Sequence, residues 1–88
     1  MSWSIYVVGR NKEKLKEVVR AEQCRDEEKQ PHSGAPARVV DYLCKEIDRI
    51  RIYEWENKTF GIRIVASGSF HEQGCNESID IQPTRLVE

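Results

Sequence analysis

The chain has 88 residues, enough for one hydrophobic core and too few for two. It is 39% hydrophobic and 33% charged, and its 14 Lys and Arg against 15 Asp and Glu leave a formal net charge of −1. That balance excludes a markedly basic domain, the strongest general sign of nucleic-acid binding, though not a local basic patch. It also excludes the low-hydrophobicity, high-net-charge composition of a disordered chain.

From the start, Trp3, Ile5 and Val7 alternate with Ser2, Ser4, Tyr6 and Val8, which is the period-two pattern of a strand. Gly9 breaks it, and Asn11 is placed to cap a following helix. From Lys12 the period changes to that of a helix, with a narrow apolar stripe of Leu15, Val18 and Val19 that stops at Glu22. Residues 25–35 contain no large apolar side chain and read as a polar, mobile loop. Pro36 suits the first position of a second helix, since its missing amide needs no partner there. Val40, Leu43, Cys44, Ile47 and Ile50 then recur at helical spacing. Ile52 to Glu56 have strand residues, although the run from Ile50 to Trp55 also fits a continuing helix.

Glu56-Asn57-Lys58-Thr59 reads as a tight hairpin connection. Phe60, Ile62, Ile64 and Ala66 alternate with Gly61, Arg63, Val65 and Ser67 in a long strand that ends around Phe70. Residues 71–76 form a second connection, and Ser78 to Gln82 make a last strand that Pro83 ends. The order is β-α-α-β-β-β in a single α+β domain. Two helices on one face of a mostly antiparallel four-stranded sheet bury the apolar side of each element. The sheet position of the first strand stays open: an edge, or beside the third or fourth strand.

Three widely spaced cysteines, Cys24, Cys44 and Cys75, do not form the even framework of a small secreted domain. The first apolar run, Ile5 to Val8, is too short for a signal peptide, and no segment has the ~20 apolar residues of a membrane span. The expectation is a cytoplasmic chain with free thiols and no membrane association. Asn57-Lys58-Thr59 and Asn76-Glu77-Ser78 match the glycosylation pattern but then serve as turn residues.

Candidate chemistry is sparse. Cys24, His32, Cys44, His71 and Cys75 lack the close ligand pairs of a zinc site, and Cys44 falls on an apolar stripe as a small hydrophobe. His71 beside Cys75 offers a base and a nucleophile, but no third group orients the histidine. Glu54 and Glu56, two apart on a strand, fit solvated edge charges better than an acid–base pair. Ser67-Gly68-Ser69 has no following helix to present free amides to a phosphate. No catalytic residue, metal or cofactor is expected.

Two surfaces remain as binding candidates. Arg10, Lys12, Lys14, Lys16 and Arg20 gather on the first helix, where cations at the N-terminus oppose the macrodipole. Such a run suits phosphate or an acidic protein, and is more often a solvated face. Tyr53 and Trp55 share one side of a strand and would form an interface if exposed. The accompanying glutamates favour the opposite orientation, with both aromatics in the core.

The opening Met1-Ser2-Trp3-Ser4-Ile5, followed by a strand, a glycine and a charged helix, resembles small uncharacterised bacteriophage and prophage proteins. So does the pairing of Val65-Ala66-Ser67-Gly68-Ser69 with Cys75-Asn76-Glu77-Ser78-Ile79-Asp80-Ile81. The resemblance covers the chain's two ends and leaves residues 23–58 outside it. It implies the cytoplasm of a phage-infected bacterium and carries no activity. The resulting expectation is a non-enzymatic protein that binds another protein or itself, as a homodimer. A nucleic-acid accessory role through the basic start of the first helix is the alternative, and chemistry at His71 and Cys75 a remote one.

Overall fold

The computed structural model describes residues 2–24 and 34–86. Its elements are β1 (Ser2–Gly9), α1 (Lys12–Ala21), α2 (Ala37–Arg49), β2 (Tyr53–Trp55), β3 (Lys58–His71) and β4 (Gly74–Arg85). All strand pairs are antiparallel, so the α+β order β-α-α-β-β-β stands. The first strand settles beside β3, with Ser2 opposite Ser69 and Gly9 opposite Ile62. β3 is therefore the centre of the sheet. β4 lines one of its edges from Phe60 to His71, while β1 and the short β2 share the other edge end to end.

The hydrogen-bond phase of this sheet follows from one contact. Leu86 N donates to Thr59 O at 3.0 Å, continuing the β3–β4 ladder. Antiparallel residues alternate between bonded and non-bonded pairs. Odd-numbered residues of β3 thus bond to β4, and even-numbered ones to β1 and β2. On β4, the odd-numbered residues from Cys75 to Arg85 turn their backbone polar groups to the free edge. Pro83 is one of these: rather than ending the strand, it lies within it opposite Ile62. Its missing N–H falls on the solvent side of an edge strand, where no ladder bond is lost.

Alternation along the strands sends Trp3, Ile5, Ile62, Ile64 and Ala66 to one face, where all are buried. Both helices close over that face with Leu15 and Val19 from α1 and Val39, Val40, Leu43 and Ile47 from α2. Each such aliphatic side chain stabilises the fold by about 1.5–3 kcal/mol on burial. Val18, expected on the apolar stripe of α1, is exposed.

Asn11 caps α1 as expected, its side chain accepting from Lys14 N at 3.1 Å. Pro36 stands one residue earlier than its expected place: its ψ of 149° is extended, and it precedes α2 as the N-cap, its carbonyl accepting from Val39 N and Val40 N. Ile50, at φ −75° and ψ 132°, leaves the helix, so the ambiguous run through Trp55 is extended chain. Glu56 and Asn57 turn the β2–β3 hairpin with φ of 51° and 60°, the left-handed pair that matches strand twist.

The loop expected at 25–35 lies outside the described residues except for Gly34 and Ala35. Ala35 is core rather than loop: it is fully buried, receives a bond from Cys24 N and donates one to Glu22 O. A parallel bridge between Gln23 and Ala35 thereby ties the end of α1 to the approach to α2.

Trp3 sits opposite Gly68, and a Cβ at residue 68 would come within 2.6 Å of the indole Cζ2. The glycine leaves the space that the ring occupies. Gly68→Ala is therefore expected to destabilise the fold by roughly 1–3 kcal/mol through overpacking. Ser67→Ala, on the exposed face, should stay within about 0.5 kcal/mol of wild type. Urea denaturation of the two variants measures both.

Candidate functional site

The helices are shorter than the sheet they cover. At ~3.3 Å per residue β3 spans about 46 Å, nearly the whole 49 Å long axis of the molecule. α2 at ~1.5 Å per residue reaches only about 20 Å. One end of the sheet beyond the helices is the β2–β3 hairpin. There Tyr53 lies opposite Phe60 and Trp55 opposite Lys58, all on the helix-side face. The face is the one that the accompanying glutamates favour, but the aromatics are not core. Tyr53 is 41% exposed and Trp55 61%, because no helix among the described residues reaches them.

The Tyr53 and Phe60 rings stack at 4.8 Å between centroids and 11° between planes. Arg85 of β4 is the cross-strand neighbour of Phe60 on the same side. Glu54, opposite Thr59, belongs to the other side of the hairpin, and Glu56 is in the turn, so the two carboxylates do not form a pair. The outcome is a row of Tyr53, Phe60 and Arg85 with Trp55 and Lys58 beside it. Arg51 adjoins this row in a cleft shared with Ile50, Tyr53, Glu54 and Pro83.

The basic residues of α1 divide into three groups. Lys12 Nζ donates to Asp48 O at 3.1 Å, and Lys16 Nζ pairs with Asp48 at 2.9 Å and Glu13 at 3.0 Å. These two lysines fasten the start of α1 to the last turn of α2, where cations complement the helix dipole. The cost of basic residues at one helix start is offset by their fit to the end of the other. Arg20 stands in the last turn of α1, away from this end. Arg10 and Lys14 remain exposed at the same end of the sheet as the aromatic hairpin, since β1 delivers the chain to α1 opposite Ile62. Tyr53 and Trp55 stand out in the sequence, whereas Phe60 and Arg85 come beside them only through the strand register.

At the opposite end, His71 pairs with Gly74 and Cys75 with Phe70, so His71 and Cys75 occupy opposite faces of their hairpin. His71 Nδ1 is engaged by Gln73 N at 3.2 Å. His71 and Cys75 nevertheless line one cavity with Arg38 and Phe70. Cys24 is buried, Cys44 half-buried and Cys75 exposed, and no metal-holding cluster is present among the described residues. His32 lies outside them. Arg38, at the start of α2, pairs with Glu77 at 2.9 Å. Glu77 first, and the Cys75 sulfur after it, raise the guanidinium pKa further above its ordinary value.

The helix-free face of the sheet is a second exposed surface. Tyr6, 71% exposed, lies opposite Val65 with Val8 nearby, among serines at positions 2, 4, 67, 69 and 78. No helix among the described residues is long and apolar enough to cross a membrane. Comparison with family models, curated proteins and solved structures finds no match for the chain.

Two outcomes test this geometry. Asp48, and then Glu13, raise the Lys16 ammonium pKa above its ordinary 10.5. Its contribution to stability is present in full below that value and is lost as pH rises through the raised one. Asp48→Asn should move the Lys16 titration back down, as read by NMR. In native protein a thiol reagent should modify Cys75 at once and Cys24 only on unfolding.

Proposed function

We propose that the chain is a small non-enzymatic accessory protein that docks on a protein partner through the bare β2–β3 end of its sheet. The observation that carries this reading is the exposure of Trp55 beside the stacked Tyr53–Phe60 pair, with Arg85 next to it. Trp, Tyr and Arg are the residues that concentrate binding energy at protein interfaces. Here they stand on a paired, hydrogen-bonded hairpin, so little ordering is lost on binding. The setting proposed is that of the phage-type proteins the chain ends resemble, in a bacterial cytoplasm.

A second reading, single-stranded nucleic acid, draws on the same surface. Lys58 and Arg85 share the aromatic face by strand register, and bases stack on aromatic rings flanked by cations. It predicts affinity that falls steeply with salt.

Trp55→Ala is expected to weaken partner binding by about thirtyfold, the effect of losing a central anchor of ~2 kcal/mol. Arg20→Ala should leave binding unchanged. Quantitative capture of a partner identified in host lysate, compared across wild type and both variants, measures this. Partner binding equally strong with Trp55→Ala would overturn the protein-docking reading. Tight, salt-sensitive binding of a fluorescent oligonucleotide would replace it with the second.

A further inference from the structure

We infer that β4 is a self-pairing edge, and that two copies of this chain join antiparallel along it about a two-fold axis at Ile81. This goes beyond the docking end, with which it shares only Arg85. β4 has 12 residues and nothing on its outer side among the described residues. The outward N–H groups of Glu77, Ile79, Ile81 and Arg85 have no backbone partner there. A long regular edge of this kind is a template for another strand.

The side chains choose both the partner and the register. With Ile81 opposite its own copy, Ile79 meets Pro83, and Glu77 meets Arg85 of the second copy. On the other face Asp80 meets Gln82 and Ser78 meets Thr84. By symmetry the Glu77–Arg85 pair forms twice, one at each end of the joined segment, with one Glu77 oxygen held by Arg38 of its own chain at 2.9 Å and the other left for the second copy. Opposite charges directly across an antiparallel pair stabilise it, and like charges oppose it. Shifting the axis to Asp80 sets two carboxylates face to face, and shifting it to Ile79 puts Glu77 against Ile81 and discards the charge pairs. Pro83 donates nothing, so each copy lacks one bond of the new ladder while the outward amides on both sides of it are satisfied. Beside the edge, a cleft of ≈ 350 Å³ between α2 and β4 is lined by Arg38, Val39, Tyr42, Glu77 and Ile79. Tyr42, 49% exposed, overhangs it and gives the second copy an apolar contact above the joined strands.

Sedimentation velocity of the whole chain across a concentration series tests the pairing. The wild type is expected to dimerise, Arg85→Glu to raise the dissociation constant about tenfold or more, and the charge exchange Glu77→Arg/Arg85→Glu, made with Arg38→Gln so that residue 77 does not face its own Arg38, to recover it. Trp55→Ala should dimerise like the wild type, which separates this interface from the docking end. Because charge variants can also disturb folding, Ile81→Cys in a Cys75→Ser background supplies a second reading. Bonded antiparallel pairs hold their Cα atoms ~5.5 Å apart, with Cβ atoms wider than a disulfide spans, so a short bis-maleimide should give a covalent dimer that the Cys75→Ser parent does not. A monomer at every concentration overturns the inference. So does a dimer that ignores the charge exchange and fails to cross-link through residue 81.

Discussion

Everything in this fold leans on β3, because among the described residues it is the only strand with a neighbour on both sides. Its even-numbered residues hold β1 and β2, its odd-numbered residues hold β4, and Ile62, Ile64 and Ala66 form the floor on which both helices rest. The helices themselves touch each other at one end through Lys12, Lys16 and Asp48. At the other end the bridge between Gln23 and Ala35 joins the segments that enter and leave them. A change on the buried side of β3 is therefore felt in every layer at once. The glycine beneath Trp3 shows how closely that side is fitted.

A long hairpin under short helices also determines what is left for function. Burial protects the middle of the sheet, so the β2–β3 end and the face away from the helices carry the exposed aromatic side chains of the strands, Tyr53, Trp55 and Tyr6. At the β2–β3 end these collect with cations on one side of the hairpin. Charge that looks evenly mixed along the chain is thus sorted in space by strand parity and by the lysine contacts between helices.

The alternation of Trp3, Ile5 and Val7, the stripe of α2 and the turn at Glu56-Asn57 were legible from residues alone, because period and turn chemistry are local. Pro83 misled because its effect depends on which edge the strand occupies, a fact of register. Tyr53 and Trp55 were assigned to the correct face and the wrong environment: parity is local, but the reach of a helix over a sheet depends on how both are placed. The basic run of α1 concealed its partners for the same reason, since Asp48 is far away in sequence. Phe60 and Arg85 carried no signal as site residues until the pairing of three strands brought them together.

The place of β3 near the end of the chain has a consequence for how the protein is made. β1, α1 and α2 leave the ribosome first, at roughly 5–20 residues per second, each with an apolar side and no floor to set it on. Ile5, Val19 and Leu43 find their cover only once residues 62–66 have emerged. The nascent amino-terminal half is thus not a folding unit but an assembly waiting for its middle strand, and closing β1 onto β3 spans most of the chain. Such non-local closure is slow, so a chain stopped before β3 would present three unsatisfied apolar surfaces to chaperones and proteases.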